Sequence, residues 1–174
     1  PVWNEIEYQA ATPNQAYALD IMLDWDTVCT ADSQAAAVYQ WFWWNLLQNS
    51  LNDDLPAKTQ ADGGKSGGST DFEIMRNLIK SPDDFFWDDK STLDNVETRN
   101  DIYIASLIET VDILEKDYGK DPAKWPTWGE LHTATFRNGT LGESGVFLIE
   151  DLFNRGPFET GGGQSLVNAT GWDV

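Results

Sequence analysis

The chain has 174 residues, the length of one ordinary domain, and its formal net charge is −18. Hydrophobic residues make up 41% and charged residues 23%, a balance typical of a folded protein rather than a disordered one. A polyanion repels phosphate backbones, which argues against nucleic acid as a partner. No apolar run reaches the roughly 18–20 residues of a membrane-spanning helix.

Two helices are predicted in the first third of the chain. Thr12, followed by proline, is typical of an N-cap, and the first helix is predicted over residues 14–23. Asp32 or Ser33 caps a second helix that extends to about Leu51. This helix is apolar on nearly every side, which indicates burial on most sides and missing neighbours. Its few polar residues form a narrow stripe: Gln34, Asn45, Gln48 and Asn52.

A glycine- and serine-rich stretch at residues 62–70 is predicted to be a flexible linker. Thr70 or Asp71 then caps a short helix that ends at Lys80, before Ser-Pro. The segment at residues 83–89 is predicted to be irregular.

The strongest helical pattern begins after Val96 and ends at Gly119, where glycine is the expected C-cap residue. After residue 120 the helical periodicity gives way to glycines, prolines and short apolar runs. We therefore predict a mainly α fold with a minor β component, helical over residues 12–119 and irregular or β-containing over residues 120–174.

Few residues offer chemistry. His132 is the only histidine and Cys29 the only cysteine, so an internal disulfide is excluded. A lone histidine is usually structural, and no local signature supports a Cys29–His132 nucleophile pair or a zinc site. Pro1 offers a secondary amine, but the rest of the sequence does not resemble a tautomerase. Because the chain starts at Pro1 without methionine, we expect that an upstream segment has been removed.

Other polar clusters are interpreted as structural. Asp24, Asp26 and Asp32 lack the spacing of an EF-hand and are predicted to be turn and capping residues. Three glycines at residues 161–163 lack the lysine of a P-loop. Two sequons for N-glycosylation occur, at Asn138 and Asn168, and do not by themselves establish secretion.

The C-terminal third carries a recognisable order of motifs, which the earlier helices extend. The C-terminal motifs are WPTWGELH at 125–132, LFNRGPF at 152–158, glycines at 161–163 and VNA at 167–169. Upstream, the stretch 16–25 is followed by Asp32-Ser33 and an alanine-rich aromatic helix. This order resembles the later part of the β chain of the penicillin acylase family. The resemblance covers most of the chain.

The resemblance implies an N-terminal-nucleophile hydrolase of αββα architecture, of which this chain would be the helical part and incomplete on its own. In that family a precursor exposes a serine whose α-amino group is the base, and an acyl-enzyme forms. Pro1 is not such a nucleophile, and the family's nucleophile, oxyanion asparagine and calcium ligands lie upstream of the matching stretch. We therefore assign no catalytic, cofactor-binding or metal-ligating residue, His132 included.

The expected partners are the rest of the acylase, meaning its α chain and the remaining β chain, and an acyl amide substrate. A β-lactam side chain and an acyl-homoserine lactone are the substrates considered, and family resemblance implies a periplasmic or secreted protein. We expect no activity from the segment alone. The alternative hypothesis is a non-enzymatic binding module that uses the aromatic block Trp41–Trp44 as its surface.

Overall fold

Regular structure is helical over most of the chain. The computed structural model describes residues 2–56 and 69–163. Within them the helices are α1 (Pro13–Leu23), α2 (Gln34–Leu51), α3 (Ser69–Leu78), α4 (Arg99–Tyr118), α5 (Trp128–Leu131) and α6 (Phe147–Phe153), and the strands are β1 (Thr133–Phe136) and β2 (Arg155–Glu159). The prediction of a mainly α fold with a minor β component is confirmed. No helix in these ranges is both long and apolar enough to cross a membrane.

The predicted starts of α1 and α2 are confirmed by their capping side chains. Thr12 Oγ1 accepts a hydrogen bond from Gln15 N at 3.2 Å, and proline occupies the first turn. Ser33 Oγ accepts from Ala36 N at 3.1 Å, which identifies Ser33 rather than Asp32 as the cap. Each hydroxyl satisfies an N–H group that has no partner within its own helix.

Helix α4 begins and ends as the sequence predicts. Thr98 and Asp101 form a reciprocal capping box, with Thr98 N donating to Asp101 Oδ2 at 2.9 Å. Gly119 follows the last residue with a φ of 94°, in the region that glycine adopts without strain.

Helix α3 begins at Ser69, earlier than predicted. Thr70 and Asp71, which we expected as caps, lie inside its first turn, where a carboxylate interacts favourably with the helix dipole. Residues 83–89 contain a short 3-10 turn, Phe85–Trp87, instead of being wholly irregular. Residues 62–68 of the predicted linker lie outside the described residues, and its last two residues belong to α3.

The chain divides into two compact units, Pro1–Trp25 with Val38–Trp125, and Asp26–Ala37 with Pro126–Val174. The first unit contains the hydrophobic core, in which α1, α3, α4 and most of α2 bury their apolar faces. Its fully buried large side chains are Leu46, Leu47, Met75, Trp87, Leu107 and Leu114.

Part of the polar stripe predicted on α2 faces another helix. Asn45 is buried, and its Nδ2 donates to Thr110 Oγ1 of α4 at 2.9 Å. One turn later, Asn49 Nδ2 donates to Ser106 Oγ at 3.1 Å. The two helices therefore share a polar seam inside the first unit, because buried amides must find partners.

The second unit is built around an antiparallel hairpin. Thr133 pairs with Glu159 and Ala134 with Phe158. Gly156 has a φ of 124°, and a Cβ there would lie 2.7 Å from Ala134 O, so only glycine fits between the strands.

Candidate functional site

The motif that carries the family resemblance folds into a short helix with a defined end. Thr127 and Glu130 form a capping box, with Thr127 N donating to Glu130 Oε2 at 2.7 Å. Helix α5 ends before His132, whose N donates to Trp128 O at 2.8 Å. The indole of Trp128 stacks on the imidazole of His132, with ring centroids 4.8 Å apart and an interplanar angle of 7°.

His132 is fastened to the residue after β2. Its Nδ1 lies 3.2 Å from Thr160 O and 3.0 Å from Thr160 Oγ1. Both oxygens of Thr160 therefore lie within hydrogen-bonding distance of the imidazole nitrogen. Thr160 N and Thr160 Oγ1 both donate back to His132 O, at 3.0 and 3.1 Å. These bonds tie α5 to the hairpin, which agrees with the structural reading of a lone histidine.

Cys29 lies in a segment held against the glycine run. Gly162 N donates to Cys29 O at 2.8 Å, and a Cβ on Gly161 would lie 2.7 Å from the same oxygen. On the other side, Gly129 N donates to Ala31 O at 2.7 Å. Gly162 O in turn accepts from Trp128 Nε1 at 2.7 Å. The glycines thus allow neighbouring backbones to approach closely. This packing accounts for them without a phosphate-binding role.

The same segment borders an open groove of about 540 Å³. None of its lining side chains is carboxylate, ammonium, guanidinium or imidazole; the lining residues are Thr27, Val28, Cys29, Thr30, Ala31, Gly161 and Gly162. Thr27 has a φ of 66°, a strained value for a β-branched residue. Asp26 Oδ1 accepts from Val28 N at 2.9 Å and holds this turn. The Cys29 thiol is therefore the one ionisable side chain among the groove's lining residues.

The aspartates considered for calcium have separate local roles. Asp24 is the C-cap of α1, Asp26 closes its own turn, and Asp32 is exposed. Within residues 2–56 and 69–163, no three or more histidine, cysteine, aspartate or glutamate side chains gather to hold a metal ion.

The aromatic block of α2 is mostly incorporated into the first unit. Phe42 is buried, and Trp41 and Trp43 are partly buried and pack against the core. Trp43 also stacks on Phe72 of α3, with centroids 4.7 Å apart. Trp44 is the most exposed of the block, at 37%. Most of this block therefore stabilises the unit instead of forming a free surface.

A group of exposed apolar side chains lies on and just before α6, and the sequence did not lead us to expect them in water. We call it the α6 apolar surface and define it as Val146, Phe147, Leu148, Leu152 and Phe153, all of them exposed. Phe147 is 76% and Leu148 77% exposed. The sequence did contain an indication of this exposure. Five of the seven residues of α6 are apolar, and a single buried face cannot accommodate them all.

Asn154 joins α6 to the turn that precedes it. Its Oδ1 accepts from Asn138 N at 2.9 Å, and its Nδ2 donates to Gly142 O at 3.0 Å. Arg155 Nη1 donates to the carbonyls of Leu152 and Asn154. The polar residues of the LFNRGPF motif are therefore bonded to neighbouring backbone.

Comparison with known proteins gives one family. The model of the penicillin amidase family matches residues 2–174. The comparison with curated proteins found no match.

Proposed function

The chain belongs to the penicillin amidase family, and on that premise we propose that it is the scaffold segment of an amidohydrolase that cleaves linear acyl amides. The segment would support the catalytic centre and contribute a wall of the acyl-binding cleft. The nucleophile would be an N-terminal serine of the same enzyme, outside this segment. The acyl amides considered are a β-lactam side chain and an acyl-homoserine lactone, and the enzyme would act in the periplasm or outside the cell.

The polar groups of the family motif carry this proposal, because they are bonded to the protein's own backbone. Trp128 binds Gly162 O, His132 binds Thr160, and Asn154 binds the turn at residues 138–142. A catalytic group must instead reach a reacting atom of the substrate. Residues bonded in this way position elements of structure, which supports a scaffold role.

The α6 apolar surface supports a second part of the proposal, that the remaining acylase polypeptide covers this region. Exposing several large apolar side chains together costs free energy, at about 25 cal/mol for each Å² left in water. Large apolar side chains exposed close together in the chain are typical of an interaction site. A covering polypeptide of the same enzyme is the occupant that the family relationship favours.

The base, the nucleophile and the oxyanion donors of the proposed reaction would all come from outside this segment. A free α-amine has a pKa near 8 and can take the proton of its own serine hydroxyl at neutral pH. Preorganised N–H donors would then stabilise the oxyanion of the tetrahedral intermediate. The calcium ion implied by the resemblance would be held outside this segment.

The first experiment measures hydrolysis by the purified chain. A penicillin with an aromatic acyl side chain and a long-chain N-acyl-homoserine lactone are incubated with it, and released amine is quantified. We expect no release above the buffer rate. Turnover that copurifies with the chain would contradict the scaffold role.

A second experiment tests the α6 apolar surface. We expect the chain at physiological ionic strength to self-associate and to bind an apolar fluorescent dye. Leu148→Asp should reduce both, because it places a charge in the exposed patch. Leu93→Asp is the matched control, since Leu93 is 93% exposed but lies outside that surface. Equal behaviour of the two variants would count against a covered surface.

The same preparations test the binding-module alternative. Replacement of Trp43 by aspartate should destabilise the first unit, because Trp43 stacks on Phe72 and packs against the core. A saturable ligand that is lost in this variant while the protein stays folded would favour the binding module instead.

A further inference from the structure

The turn between β1 and α6 holds one asparagine in an unusual combination of contacts. Asn138 is exposed, and its Oδ1 accepts hydrogen bonds from Thr140 N and Leu141 N, each at 3.0 Å. Its backbone is fixed as well: Asn138 O accepts from Gly142 N at 2.8 Å, and Asn138 N donates to Asn154 Oδ1 at 2.9 Å. The side-chain carbonyl therefore has a set position in the folded chain.

The residue that follows is Gly139, around which the structure leaves open space. Gly139 is exposed, and a Cβ built on it would meet no atom within 4 Å. The two N–H groups on Asn138 Oδ1 draw electron density from the amide carbon, as donors to a developing oxyanion do. The backbone nitrogen of the exposed Gly139 thus belongs to the residue that directly follows the polarised side-chain amide of Asn138.

We propose that Asn138 is a site of self-modification by intramolecular deamidation. The backbone nitrogen of Gly139 loses its proton to solvent base and attacks Cγ of Asn138, so that an N–Cγ bond forms. The Cγ–Nδ2 bond then breaks, and ammonia leaves with a proton from water. Water next hydrolyses the five-membered imide and yields an aspartyl or an isoaspartyl residue. No oxidant or cofactor enters the balance.

Asn138 is the only asparagine of the sequence that is followed by glycine. Asn45 and Asn49 lie inside α2, where the helical backbone holds the following nitrogen away from the side chain, and their Nδ2 atoms bond to α4. Asn154 uses both side-chain atoms in hydrogen bonds and is followed by Arg155. We therefore expect Asn138 to convert first.

Conversion would change the second unit locally. An isoaspartyl residue adds a methylene to the backbone of a turn that is bonded to Asn154, the residue that ends α6. A carboxylate also adds negative charge to a chain that is already strongly acidic. The inference does not depend on the proposed function, since it uses only the chemistry of this turn.

The test follows the intact chain over time in mildly alkaline buffer, where more of the Gly139 nitrogen is deprotonated. Peptide mapping by mass spectrometry, with fragmentation that separates aspartyl from isoaspartyl products, identifies the converted residues. We expect both products at Asn138 before any appear at Asn154. An intact Asn138 beside converted asparagines elsewhere would overturn the proposal.

Two variants separate this mechanism from others. Gly139→Ala should slow conversion about tenfold, equivalent to about 1.4 kcal/mol in the barrier, because a Cβ crowds the attacking nitrogen. Thr140→Ala keeps Gly139 and the N–H of residue 140 but removes the sequon, so conversion should persist. Loss of conversion in Thr140→Ala would assign it to removal of a glycan, and an unchanged rate in Gly139→Ala would also overturn the proposal. Thermal unfolding checks that both variants fold.

Discussion

The two units of this chain obtain their structure by different means. The first buries large apolar side chains such as Trp87 and Leu107 completely. In the second, the buried residues among those described are alanines, glycines and one proline. Its order comes from backbone hydrogen bonds that pass close to glycines, while Phe147 and Leu148 stay in water. Because the described part of the second unit buries so little apolar surface, we expect a covering chain to stabilise it.

The largest expected effect tests the hydrophobic core of the first unit. Trp87→Ala should lower the free energy of unfolding by about 3–5 kcal/mol, because a fully buried indole leaves a cavity and Ser81 O loses its donor. Chemical denaturation followed by tryptophan fluorescence and circular dichroism measures the loss. Trp44→Ala is the control, since that indole is 37% exposed and should cost much less. Equal losses would show that the core does not decide stability.

A second prediction concerns alkaline pH. Burial raises the pKa of Tyr103 to about 12, above the value near 10 of an unfolded tyrosine. The folded state therefore keeps a proton that the unfolded state releases. Stability should be constant up to about pH 10 and then fall by about 2–3 kcal/mol in total as the pH approaches 12.

Unfolding midpoints measured across this pH range test the effect. Tyr103→Phe keeps the ring in the core and should flatten the alkaline decline. Tyr118→Phe, a half-buried tyrosine on the same helix, should leave most of the decline in place. If both variants behave alike, Tyr103 is not the group responsible.

The smallest effect is expected in the second unit. Gly129→Ala should destabilise it by about 1–3 kcal/mol, because a Cβ would lie 2.8 Å from Ala31 Cβ and 2.9 Å from Ala31 O. Hydrogen exchange should then speed up in β1 and β2 but not in α4. Gly139→Ala is the matched control, since its Cβ would enter open space. Faster exchange in α4 as well would mean that the two units unfold together.

Much of the helical part was predictable from local sequence. The caps at Thr12, Ser33 and Thr98 and the glycine that follows α4 are short-range signals, because a cap bonds only to residues within its own first or last turn. The start of α3 was predicted too late, since Ser69, Thr70 and Asp71 are all good capping residues and local preference does not choose among them.

The site was less predictable. That His132 is structural could be expected, but its partner Thr160 lies 28 residues away and no spacing rule connects them. The hydrogen bond between Asn45 and Thr110 was not predicted either, because these residues are also far apart in the chain. The α6 apolar surface was missed because apolar residues were assumed to be buried.

By itself, the sequence determined the caps of α1, α2 and α4, the strongly negative net charge and the family, since these depend on composition and on residues close together in the chain. The tertiary structure alone decided which apolar residues are covered and which backbones pass close to Gly129 and Gly161. It also decided that the motif residues bond to one another across the second unit. The physical reason is that burial and long-range hydrogen bonds depend on segments brought together only by folding.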